Sequence, residues 1–167
     1  MPEKQTLDRA RADKRAGKAP SSQAGEFVRE EMDHIREGKH GARSTKQAIA
    51  IGLSKARRAG VDLAPPGAGK TSAKTRKRAT RDYARGHGAP ARSTATAKRS
   101  RASENALKRE STAAASPQAL ARQAHSAAKR RSPGDRSAAA RRASQTKGPQ
   151  ERAQAARKAA HTRQMHA

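Results

Sequence analysis

Large apolar side chains are gathered into one short stretch of this chain. Nine of the fourteen Leu, Ile, Val, Met and Phe residues fall between residues 27 and 63, and their spacing there is helical. Val28, Met32 and Ile35 stand at i, i+4 and i+7, with Phe27 beside them, which predicts an amphipathic helix over residues 25–38. Acidic residues crowd its early turns, Gly38 is placed to take the left-handed position past its end, and Lys39 follows, in agreement with the helix dipole. A second helix is signed at both ends. Ser44 followed by Gln47 fits a capping box, Ile49, Leu53 and Ala56 repeat the i, i+4, i+7 spacing with Ile51 on the flank, and Gly60 with Val61 fits a C-terminal cap. Residues 39–43 join the two into a helical hairpin. At roughly 40 residues such a unit is marginal alone, and a homodimer through the hairpin or a bound ligand is one way to stabilise it.

The flanks carry different patterns. Residues 3–16 are charged and mildly helix-favouring, with Leu7 as their one large apolar residue, and Gly17 and Pro20 end that piece. Ala64-Pro65-Pro66-Gly67-Ala68-Gly69 reads as a linker. Farther on, Pro117, Pro133 and Pro149 recur every sixteen residues and divide 116–163 into three units. Each opens with Ser or Gly before Pro, the start pattern of a helix. Asp135 and Glu151 sit in the first turns of the second and third units. Alanine recurs in two columns, at 124, 140 and 156 and at 127, 143 and 159. Isolated helices this short are marginal in water, and like charges repel along them, so helix is expected to form there on binding.

Composition narrows the partner. The 167 residues hold 39 Lys and Arg against 14 acidic residues, a formal net charge of +25, with one Phe, one Tyr and no Trp. Residues 1–66 contribute a net +5 and residues 67–167 a net +20. A chain of this kind condenses onto polyanions, each neutralised phosphate releasing a counterion. No stretch approaches the length of apolar sequence needed to span a bilayer, so no membrane partner is expected. There is no cysteine, which excludes disulfides and Cys-based zinc sites. The N-terminus has no apolar core of a secretory signal, so a cytoplasmic, nucleoid-associated location is expected.

Candidate chemistry is sparse. Gly67-Ala68-Gly69-Lys70-Thr71 suggests a phosphate loop, but Ala64 stands where the motif needs Gly, and no strand precedes it. His34 and His40 flank a predicted helix end, and no histidine pair sits at i, i+4 beside a carboxylate in a firm helix, so surface histidines and no metal or cofactor are expected. Glu30, Glu31, Asp33 and Glu37 read as a solvated helix flank, with no cleft to perturb them, and no enzyme activity is expected. The unpaired basic excess remains. On the hairpin, Arg43, Lys46, Lys55, Arg57 and Arg58 are the candidate DNA-contacting residues. Lys70 follows in the linker, then Arg76, Lys77 and Arg78, and in the repeats Lys129, Arg130 and Arg131, Arg141 and Arg142, and Arg157 and Lys158. Tyr83 alone cannot build a base-stacking platform, which favours duplex over single strands.

The segment from Glu26-Phe27-Val28-Arg29-Glu30-Glu31 through Ile35-Arg36-Glu37-Gly38-Lys39-His40-Gly41-Ala42-Arg43-Ser44-Thr45 to Ala56-Arg57-Arg58-Ala59-Gly60 resembles a family of small bacterial proteins of unknown function, often labelled DNA-binding. The resemblance spans about residues 1–64, and the Lys/Arg/Ala-rich tail is similar in character to bacterial histone-H1-like proteins. It implies a nucleoid role and supplies no catalytic residues. The expectation is therefore an all-α, partly disordered chain. It would comprise a charged segment at 1–20, a helical hairpin at 21–64, a basic disordered linker at 65–115, and transient repeat helices at 116–163. Its expected function is non-specific or weakly specific duplex DNA binding by phosphate neutralisation. The alternatives are an RNA- or ribosome-associated protein and a disordered stress-related scaffold.

Overall fold

A computed structural model describes residues 2–90, 97–146 and 148–165, and every regular element among them is helical. The predicted hairpin is present. Its first helix, Pro20–Arg36, is longer than its apolar stripe, because Pro20 occupies the first helical turn, where its missing N–H costs nothing. Gly38 ends this helix at φ 71°, as its position predicts. The second helix is Thr45–Arg58; its Ser44 cap accepts the Gln47 N–H at 3.2 Å, and the Gln47 side chain reaches back to the N–H of Arg43 at 3.1 Å. The return bond thus lands one residue before the position a capping box prescribes. Gly60, at φ 84°, closes the end, and the Val61 N–H reaches back to the Ala56 carbonyl.

Residues 1–20 are more than a charged segment. Lys4–Arg15 forms a helix, α1, which packs on Pro20–Arg36, α2, through Thr6, Leu7 and Ala10. Arg9 locks the pair with a 2.6 Å ion pair to Glu26. The second hairpin helix is α3. Together α1, α2 and α3 enclose Ala10, Ala24, Phe27, Ala56 and Val61. Full burial of a side chain like Phe27 is worth about 1.5–3 kcal/mol.

The expectation of a disordered stretch at 65–115 is corrected for the described residues. Ser72 caps Ala73–Gly86, α4, by accepting the Thr75 N–H. Its Ala79, Asp82 and Gly86 lie against α3, where a Cβ on Gly86 would collide with the Arg57 carbonyl. After Ala97–Lys108, α5, a short 3-10 turn at Thr112–Ala115 buries Ala114 and Ala115 against Met32, Ile35, Ala42 and Ala48. Backbone bonds from Gly41 to Leu107 and from Ala42 to Ser111 fasten the hairpin connection to this segment. Small alanines provide the contact where the sequence offers no large apolar residue. That is why apolar spacing alone does not reveal it.

Two compact units divide the chain, residues 1–123 and 124–167. Pro117–Lys129, α6, runs across the division; Pro133–Thr146, α7, and Pro149–Met165, α8, follow. Each repeat thus starts a helix at its proline, as the sixteen-residue spacing predicts. The repeats stand as ordered helices, which corrects the expectation of transient ones. The local code accounts for this: alanine has the best helix propensity, proline falls at the first position, and at the head of α7 Ser132 accepts the Asp135 N–H and donates its hydroxyl to the Asp135 carboxylate. No helix among the described residues is long and apolar enough to cross a membrane.

Candidate nucleic-acid interface

Helix α4 presents one face to α3 and another to solvent. On the solvent face Lys74, Arg78, Arg81 and Arg85 stand at i, i+4, i+7 and i+11, all exposed, with Lys77 on the flank. The stripe runs about 16 Å along the axis. None of these five side chains makes an ion pair or hydrogen bond with another described residue.

A groove of about 600 Å³ lies between α3 and α4, with Ile49, Ala50 and Leu53 in its wall and Lys46, Arg58 and Arg78 around it. Asp82 also lines it, but this carboxylate is engaged locally. It accepts a very short hydrogen bond from the Ser54 hydroxyl and lies 4.0 Å from Arg58 Nε. The same pattern holds for other acidic residues of the first unit. Asp13 pairs with Lys18, Asp33 with Arg36, and Glu104 with Lys108, which holds the Glu104 carboxyl below its ordinary value. Asp62 accepts the Tyr83 hydroxyl at 2.5 Å.

The sequence-predicted residues separate by geometry. Lys46, Arg58 and Arg78 are brought together at the groove. Arg43, at the head of α3, and Lys70, in the turn before α4, are exposed, as are Arg76 and Lys77. Two others turn inward. Lys55 is held between Glu30, at 3.3 Å, and Glu31, at 2.7 Å. Arg57 is buried and donates to the carbonyls of Leu63 and Ala64, clamping the turn after α3; burial pushes its guanidinium below the usual value while Asp82 opposes that shift. In the second unit Lys129, Arg130, Arg131, Arg141, Arg142, Arg157 and Lys158 are all exposed.

Lys74, Arg81 and Arg85 are functional candidates that sequence reading passed over. These basic residues keep a helical period in the sequence, which apolar spacing does not mark.

Residues 11–66 match the model of a family of unknown function, DUF6496. The match covers the last five residues of α1 and all of α2 and α3, and ends before α4. No curated protein and no solved structure matches the chain.

Proposed function

We propose that this protein binds duplex DNA with little sequence preference, by neutralising phosphates, and that it associates with the nucleoid. The observation that carries the reading is the unpaired stripe Lys74, Arg78, Arg81 and Arg85, flanked by Lys77 and by Lys46 and Arg58 at the groove. Asp82 is turned to Ser54 and Arg58, so Lys74, Lys77, Arg78, Arg81 and Arg85 have no acidic side chain paired with them. Phosphate contacts of this kind position a protein on a duplex and carry no base information. The second unit adds eleven basic residues against two acidic ones, which extends the same electrostatic contact.

Fluorescence anisotropy with labelled duplex DNA over a salt series tests this. Affinity falls steeply with salt, and changing Lys74, Arg78, Arg81 and Arg85 together to Ala lowers the log–log salt slope by about 3–4 if all four touch phosphate. An unchanged slope removes α4 from the interface. Competition by structured RNA at lower concentration than duplex DNA moves the reading to RNA. Indifference to both polyanions overturns it.

A further inference from the structure

At the far end of α2, three side chains converge that the polyanion reading does not use. Glu31 and His34 are one turn apart on the helix, and His40 returns to them from the connection beyond Gly38. Their ligand atoms all lie within 4.8 Å of one another. Glu31 is fully buried, where a solvated flank was expected. Lys55 Nζ stands 2.7 Å from its Oε2, outside hydrogen-bond directionality, and neither carboxylate oxygen accepts a hydrogen bond from a described residue. A buried oxygen in that condition carries a desolvation cost that native structures rarely leave uncompensated.

The imidazole beside it fixes what can compensate it. His40 Nδ1 lies 3.1 Å from the Gly41 carbonyl oxygen, which can only accept, so Nδ1 carries a proton, and in a neutral ring this leaves the lone pair on Nε2. That Nε2 faces Glu31 Oε1 at 3.3 Å. In that tautomer two acceptors face one another, and a bound cation between them satisfies both. The separation is the edge of a tetrahedron whose bonds are about 2.0 Å, the length of zinc bonds to imidazole and carboxylate. His34 has its own outer partner, Glu3 Oε1, 2.8 Å from its Nε2, an arrangement that orients ligand imidazoles in metal sites. Around the cluster stand Glu3, Glu30 and Glu31, opposed by Lys39 and Lys55. With neutral imidazoles this leaves a local negative excess in a chain of net charge +25.

We propose that Glu31, His34 and His40 form a binding site for one divalent transition-metal ion of zinc-like preference. Two imidazoles and one carboxylate suit that class and disfavour magnesium or calcium, which take oxygen ligands. The role is structural. The ion joins α2 to the 39–43 connection, which itself is bonded to residues 107 and 111, and so fastens a hairpin too small to be robust alone.

Zinc titration of the metal-free full chain at neutral pH, against a chromophoric chelator, tests this. One equivalent binds, and the melting temperature rises with it. His40→Gln and His34→Gln abolish that binding. Glu3→Gln weakens it by about 10–100-fold, as loss of a carboxylate behind a ligand histidine does. His161→Asn, away from the cluster, leaves it unchanged. Should either glutamine variant lose helicity without metal, X-ray absorption of the unaltered chain loaded with zinc decides: two imidazoles and one carboxylate support the site. Absence of a one-equivalent binding step, its survival in both glutamine variants, or its loss in His161→Asn overturns the proposal. Each readout is independent of DNA, so failure here leaves the polyanion reading untouched.

Discussion

Thr45 donates its hydroxyl to the backbone carbonyl of Ala114, 2.7 Å away and 69 residues along the chain, and the bond is buried. It joins the head of α3 to the 3-10 turn, so two segments that share no apolar spacing fold as one unit. Thr45→Val keeps the shape and removes the donor, leaving a buried carbonyl unpaired. The expected loss is about 1–3 kcal/mol, a drop of roughly 2–4 °C in melting temperature for each kcal/mol. Thr45→Ser retains the hydroxyl and most of the stability. Circular dichroism melts of the three proteins check this, and equal melting of the Val variant would detach the turn from α3.

Two helix glycines respond to the same substitution with opposite signs. Gly52 meets α2 at close range: an added Cβ would lie 2.7 Å from Val28 Cα and 3.0 Å from the Phe27 carbonyl oxygen. Gly52→Ala forces the helices apart and costs about 1–3 kcal/mol, more than the ~1 kcal/mol of helix propensity it gains. Gly25, in α2, has open space around it, so Gly25→Ala gains up to about 1 kcal/mol. Urea midpoints of the two variants measure the difference.

Tyr83 reports on the docking of α4. Its hydroxyl bond to Asp62, followed by desolvation and the Asp62 charge, pushes its pKa above the usual 10.0. A folded pKa above the unfolded one means that this contribution to stability is fully present below pH 10 and is lost as pH rises through the folded pKa. The chain has one Tyr and no Trp, so phenolate absorbance titrates this group alone. Asp62→Asn brings the midpoint down towards 10. A midpoint unmoved by that change would mean that the contact does not hold in solution.

Ending the chain at residue 66 removes α4 from its seat on α3 and removes Ala114, Ala115 and Leu120 from the core around Met32 and Ile35. A 1–66 protein therefore melts at a lower temperature than a 1–123 protein. The 1–123 protein keeps the α4 stripe and binds duplex DNA, with a shallower salt dependence than the whole chain. Anisotropy and thermal melts of the two truncations measure both effects, and equal melting temperatures would make residues 67–123 bystanders.

The sequence by itself determined the elements whose signals are local. Val28, Met32 and Ile35 mark α2, Ser44 and Gln47 start α3, Gly38 and Gly60 end their helices, and Pro117, Pro133 and Pro149 begin three more. Each acts on its own turn of backbone through sterics or a capping bond, so no partner is needed to read it. The tertiary structure decided what those elements meet. Ala114 and Ala115 become core because the hairpin connection leaves an alanine-sized space beside Met32 and Ile35, and no periodicity announces that. Lys55 and Arg57 belong to the same charge run as Arg58, yet the rotation of α3 turns them towards Glu31 and the Leu63 carbonyl, while Arg58 faces the groove. His40 joins Glu31 and His34 only once the chain reverses at Gly38. Charge and ligand chemistry depend on distance and burial, and in this chain both are set by long-range packing.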